Sequence, residues 1–195
     1  MFEGRGATLA VAAILVLGGC EDRAGAPVTG PSTAVVTDET TGLVWLRCAL
    51  GQQWQAPRCT GEARTFSRAD AQSRVNALNE ERHLGIDRWR LPSIVELAAL
   101  RRCDHGFVDE TFSLPLMAEQ EPVVVPRWCA RENTPPAIDT ARFPDTPAVK
   151  FWAGSLNERQ QTAYAVDFFS AWIGLNEDDE SLHAVRPVAD PAPRH

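Results

Sequence analysis

Lysine is almost missing from this chain of 195 residues: Lys150 stands alone, and the formal net charge is −7. That balance excludes the broad positive field that holds nucleic acid or spreads a protein over an anionic surface. Local arginine clusters could still hold a single anion. No C-x-x-C pair occurs, which argues against a four-cysteine zinc site. His83, His105, His183 and His195 show no H-x-x-x-H spacing, and no serine sits in a G-x-S-x-G turn. The familiar metallohydrolase and serine-hydrolase signatures are therefore absent. So is any internal repeat. The apolar run from Ala7 to Leu17 is too short for a stable membrane-spanning helix.

That run reads instead as the central region of a signal peptide. It ends in Leu17-Gly18-Gly19-Cys20, which resembles a bacterial lipobox, so Cys20 is expected to be acylated and to become the mature N-terminus. The expected organisation is a lipoprotein signal peptide over 1–19, a polar tether over 20–34, one domain over 35–190 and a tail over 191–195. Losing Glu3 and Arg5 with the signal leaves the net charge unchanged. The localisation this implies is the bacterial cell envelope, lipid-anchored, on its periplasmic or surface side. Setting Cys20 aside leaves Cys48, Cys59, Cys103 and Cys129. An even count in an exported chain reads as two disulfides with three possible connectivities, of which the sequential one closes the shortest loops.

Within the domain, Val35-Val36-Thr37 and Leu43 to Leu46 flank a polar, glycine-ended turn and predict a β-hairpin. Ser67 opens a helix, with Asp70 as its capping partner and Ala71, Val75 and Leu78 along one face. Ser93 to Glu96 spells a capping box for a second helix, with Ile94, Leu97 and Ala98 inward and Arg101 and Arg102 suited to its negative end. Before it, Trp89-Arg90-Leu91-Pro92 holds the chain extended so that Leu91 can pack on the first turn. From His105 to Thr146 the chain is proline-rich and predicts irregular structure. Strands are expected over Val149–Ala153, Thr162–Ile173 with a break near Ser170, and Leu182–Val188.

Three groups of residues carry candidate chemistry. Asp104 and His105, with nearby loop carboxylates, are the only acid–base pair in view, and a turn beside a disulfide-bonded Cys103 is the better reading of them. Asn176, Asp178 and Asp179, in the densest acidic run, could offer oxygens to calcium, but their order does not match an EF-hand loop and a solvated turn is the simpler reading. Of the six tryptophans, Trp45, Trp89 and Trp152 fall in apolar contexts and belong to the core. Trp54, Trp128 and Trp172 fall in or beside loops, where an indole can stack on a sugar, anchor a protein or simply pack inward.

Taken in order, these segments resemble the bacterial Lcl C-terminal domain family, named for the end of a collagen-like adhesin. The resemblance runs from about Asp38 to Val188. It rests on Thr41-Gly42-Leu43-Val44-Trp45, Gly51-Gln52-Gln53-Trp54, Asn76-Ala77-Leu78-Asn79 and Trp89-Arg90-Leu91-Pro92-Ser93. It continues through Pro136-Ala137-Ile138-Asp139, Phe143-Pro144-Asp145-Thr146-Pro147, Ala165-Val166-Asp167-Phe168 and Ala184-Val185-Arg186-Pro187-Val188. Three departures stand out: an apparent insertion at 104–128, Trp152-Ala153-Gly154-Ser155 where consecutive serines are usual, and Pro187 in the last strand.

The resemblance implies an α+β fold: a compact disulfide-stapled domain with a small, mostly antiparallel sheet and two helices, similar to C-type-lectin-like folds. It implies no catalytic role and no cofactor. A namesake adhesin takes sulfated polysaccharide, a ligand ill suited to an acidic chain with one lysine. The functional expectation is a non-catalytic binding or structural module whose partner is a glycan or an envelope protein. The alternatives are a hydrolase or modifying enzyme built on His105 and loop carboxylates, and a purely structural subunit of an envelope assembly.

Overall fold

The computed structural model describes residue 1 and residues 33–114, 123–157 and 162–191. Cys20, the signal segment, most of the tether and His195 lie outside the described residues.

The chain opens with the expected hairpin. Val35–Thr37 (β1) and Val44–Leu46 (β2) pair antiparallel with Val36 opposite Trp45. The Asp38 carboxylate closes the turn by accepting the N–H groups of Thr40 and Thr41. Next come a second hairpin, Gln53–Gln55 (β3) with Arg58–Thr60 (β4), and the short strand Thr65–Phe66 (β5). Helix α1 spans Arg68–Glu80, and Trp89–Arg90 (β6) leads into helix α2, Ile94–Ala99. Beyond it lie Thr111–Leu114 (β7), Val123–Pro126 (β8), Lys150–Asn157 (β9) and Thr162–Asp167 (β10). Ile173–Glu177 (β11), His183–Ala184 (β12) and Val188–Ala189 (β13) complete the domain.

Two main sheets result, ordered β1-β2-β13-β6 and β11-β10-β9-β12-β5, with β3–β4 and β7–β8 as separate ribbons. All pairings are antiparallel except β12 with β9. The period-two geometry of a strand explains how the longer sheet divides the core. On one face Phe151, Ala153, Tyr164, Val166 and Phe168 pack with Ile94 and Leu97 of α2. On the other, Trp152, Ala163 and Ala165 pack with Ala71, Val75 and Leu78 of α1. A sheet covered on both faces buries both sides of its inner strands, and Ala163 to Val166 of β10 are all buried.

Helix α2 is too short to persist on its own propensity, so its ends and its packing hold it. Ser93 Oγ accepts from Glu96 N, and the Glu96 carboxylate accepts from Ser93 N at 2.7 Å. Ile94 N donates to Ser155 Oγ on β9 at 3.0 Å, and Gly154 N donates to Pro92 O at 2.7 Å. A side chain at Gly154 would meet Leu91 Cβ at 3.2 Å, so the Gly154-Ser155 departure lets β9 run hard against the helix start. Arg90 completes the arrangement with two 2.8 Å hydrogen bonds to Glu96 and one of 2.6 Å to Asp190. The Trp89 backbone is held from the other side, where Asn79 accepts its N–H and donates to its carbonyl. Leu91-Pro92 and its neighbours thus dock a helix, and Trp89 is only 2% exposed.

Two expectations need correction, and a third is met. The stretch read as irregular from His105 to Thr146 contains the β7–β8 ribbon, because the β-branched run Val123-Val124-Val125 pairs with Thr111–Leu114 despite the surrounding prolines. The expected break near Ser170 is present: Thr162–Ile173 is divided by a tight turn from Asp167 to Ala171, in which Ala171 takes φ 63°. Leu182–Val188 contributes to two different sheets: Ala184 pairs with Phe151, and Val188 pairs with Trp45 and Arg90. Among the described residues, no helix is long and apolar enough to cross a membrane.

Candidate functional site

The insertion and the turn between β10 and β11 meet at one edge of the domain. There Trp128 and Trp172 stack, with ring centroids 5.5 Å apart and planes 22° from parallel. Trp172 is 37% exposed, and Phe169 beside it is 59% exposed. The pair is built by its backbone. Phe169 N and the Ser170 hydroxyl both donate to the Asp167 carboxylate, and Trp172 O accepts from Asp167 N at 2.8 Å. On the insertion side, Trp128 O accepts from Val108 N, and Ala130 N donates to Gly106 O. The Cys103–Cys129 disulfide, with α-carbons 5.4 Å apart, fastens this loop to the end of α2.

Beneath the platform lies Arg101, 7% exposed. Its Nη1 donates to Ala171 O at 2.7 Å and to Pro126 O at 3.1 Å, and its Nε donates to Ala98 O in the last turn of α2. One guanidinium thus ties together the residue before Trp172, the residue two before Trp128 and a helix terminus. Its plane lies 5.0 Å from the Phe107 ring. Among the described residues no carboxylate pairs with it, and burial pushes its pKa down to about 10, which leaves it charged at neutral pH. The Arg127 guanidinium lies 5.7 Å from the Trp128 ring and pairs with Glu110 at 3.0 Å, which gives the platform a polar margin. Arg102 pairs with Asp139 at 3.5 Å.

The expected site residues therefore separate. Trp128 and Trp172 come together, while Trp54 sits on β3, half-buried, with the Arg47 guanidinium 5.5 Å from its ring. It lines a different cavity, beside the Cys48–Cys59 bond, whose α-carbons are 5.5 Å apart. Asp104 bridges to Asn133 and Thr134: Asp104 N donates to Asn133 Oδ1, and Thr134 N donates to Asp104 Oδ2. The Thr134 hydrogen bond holds the Asp104 carboxyl below the usual range. His105 is exposed on the adjoining turn. In the acidic run, Asp178 caps its own turn by accepting from Glu180 N, and Asp179 lies 3.9 Å from Arg68. Nothing is described of the Asn176 side chain. Among the described residues no group of three or more His, Cys, Asp or Glu side chains could hold a metal ion.

Sequence reasoning missed the burial of Arg101 and Arg186. Arg186 is wholly enclosed. Its Nη1 donates to Leu46 O at 2.8 Å and also to Arg47 O, its Nη2 donates to Thr146 Oγ1 at 2.7 Å, and the guanidinium lies 4.8 Å from the Phe143 ring. Burial without a carboxylate pushes its pKa down to about 9. The signal was present in its setting, since Ala184-Val185 and Pro187-Val188 leave Arg186 no polar neighbour in sequence. Arg101 gave no such signal, because an arginine just past a helix end ordinarily faces water.

The family model of the Lcl C-terminal domain matches residues 34–189. No curated protein and no solved structure matches the chain.

Proposed function

The chain belongs to the Lcl C-terminal domain family, and on that premise we propose that it is a non-catalytic glycan-binding module, held at the bacterial cell envelope by a lipid on Cys20. The observation that carries this reading is the Trp128–Trp172 stack with an exposed outer indole. An indole face presents apolar surface that takes the C–H side of a sugar ring, and polar groups at its margin take the hydroxyls. Phe169 extends the apolar face, and Arg127 with Glu110 supplies the margin. The platform is pre-ordered by a disulfide, a buried arginine and a tight turn, which lowers the entropy cost of binding. Asp104 is engaged with Asn133 and the Thr134 backbone, and among the described residues no second acid–base group is hydrogen-bonded to it, which favours binding over catalysis.

The test is retention on a glycan array and in an envelope-extract pull-down, comparing the natural chain with Trp172→Ala. Retention on a defined glycan that falls at least about tenfold in the variant, with melting unchanged, supports the reading. Retention of one envelope protein instead, equally dependent on Trp172, would make the platform a protein-docking surface and overturn the glycan assignment. Mass spectrometry of the mature N-terminus should show an acylated Cys20.

A further inference from the structure

A second cavity lies away from the tryptophan stack and is lined by neither of its residues. It encloses about 600 Å³ between the Cys48–Cys59 loop, β5 and the end of α1, within the roughly 300–1,000 Å³ range of small-molecule sites. Its floor is apolar: Leu46, Leu50, Phe66 and Leu78 line it, each at most 9% exposed. Leu84 stands at the rim, 52% exposed, in a left-handed conformation (φ 56°) that a leucine adopts only under constraint from its surroundings.

The charged side chains on the wall are both arginines. Arg64 and Arg74 line the cavity together with His83, and among the described residues no aspartate or glutamate does. Arg74 pairs outward with Glu81 at 3.1 Å. Arg64 has no carboxylate partner among the described residues; its guanidinium lies 5.4 Å from the Phe66 ring. Its position is set by the backbone, because Arg64 N donates to Leu50 O at 2.8 Å and Gly51 packs against it. A Cβ at Gly51 would come within 2.6 Å of Arg64 Cγ. Trp54 also lines the wall; its Nε1 is closed off from solvent and has no acceptor among the described residues.

An apolar floor and an exposed guanidinium with no carboxylate partner among the described residues call for one molecule that carries an apolar body and an anionic end. We propose that this cavity binds a small amphipathic carboxylate, with its apolar part over Leu46, Leu50 and Leu78 and its carboxylate held by Arg64 with help from Arg74. In a protein of net charge −7, a pocket whose charged lining is wholly cationic selects for the anion by local complementarity. A guanidinium matches a carboxylate in two parallel hydrogen bonds, which fixes orientation as well as charge.

The probe is 2-naphthoate, titrated by calorimetry into the full domain, with its neutral analogue 2-naphthalenemethanol in parallel. The indole N–H resonance of Trp54, assigned by its loss in Trp54→Phe, reports the location. Saturable naphthoate binding that moves this resonance is expected, with the alcohol at least about tenfold weaker and Arg64→Met weakened by a similar factor. Equal binding of acid and alcohol, an unaffected Arg64→Met, or no saturable binding would each overturn the proposal. Should Arg64→Met lose its cooperative melting transition, the exposed rim variant Leu84→Asp decides. It should fold and weaken naphthoate at least about tenfold, and unchanged affinity there would overturn the proposal. Trp172→Ala should leave naphthoate binding intact, so this site and the aromatic platform stand or fall separately.

Discussion

At the scale of single residues, the domain places charge where it cannot be solvated and satisfies it with backbone. Arg186 and Arg101 each donate to several backbone carbonyl oxygens from distant parts of the chain. A buried cation is costly, yet its removal leaves several acceptors bare. Arg186→Met keeps the apolar stem between Phe143 and the core while deleting the donors to Leu46 O and Arg47 O. Each buried carbonyl left unsatisfied costs about 1–3 kcal/mol, partly offset because no charge is then buried, so a net loss of about 2–4 kcal/mol is expected in urea denaturation. A methionine variant as stable as the natural chain would show that the carbonyls find other donors.

At the scale of elements, helix α2 depends on three serine-borne or glutamate-borne contacts and on the strand beneath it. Ser93→Ala should cost about 0.5–2 kcal/mol through the lost cap. Ser155→Ala should cost about 0.5–1.5 kcal/mol, since Ile94 N would lose its acceptor. Because both serines serve N–H groups in the first turn of one helix, the double variant should depart from additivity, which a double-mutant cycle in denaturant would read directly. Full additivity would mean that the helix start is held elsewhere. The insertion depends on its disulfide. Cys103 and Cys129 are separated by 26 positions, a loop whose closure is worth about 3–4 kcal/mol in the chain-entropy account. Replacing both with serine should lower stability by that order and weaken any ligand of the Trp128–Trp172 stack. Thiol titration of the natural domain, denatured but unreduced, should find none of the four domain cysteines reactive.

At the scale of the whole molecule, stability should fall in acid. Burial alone would raise the Glu96 carboxyl, but hydrogen bonds from Arg90 and Ser93 outweigh it and the net shift is downward. Glu177 behaves likewise, with burial opposed by the Lys150 and His183 hydrogen bonds at 2.7 and 2.9 Å. Carboxylates lowered in the folded state bind protons more weakly there than in the unfolded chain. Their contribution is therefore complete above the unfolded value of about 4.3 and is lost as pH falls through their folded values. The urea midpoint should hold between pH 7 and about 5 and drop below about 4, and Glu96→Gln should flatten part of that drop. A midpoint unchanged down to pH 3 would remove both carboxylates from the stability account.

Much of this was legible in the sequence, for a reason that can be stated. The first hairpin, the caps at Ser67 and Ser93, the apolar faces of both helices and the core positions of Trp45, Trp89 and Trp152 all depend on residues close together along the chain. Hydrophobic period, turn chemistry and capping are local rules, so local sequence determined them. Tertiary structure alone decided the rest. The stack of Trp128 on Trp172 joins residues from an insertion and a distant strand turn. The pairing of Ala184 with one sheet and Val188 with another, and the burial of Arg101 and Arg186, likewise depend on which carbonyls and strand edges are left unpaired once distant segments meet. No local rule counts those groups in advance. Burial makes each of them demand a partner, and which residue supplies it is settled only when the chain closes on itself.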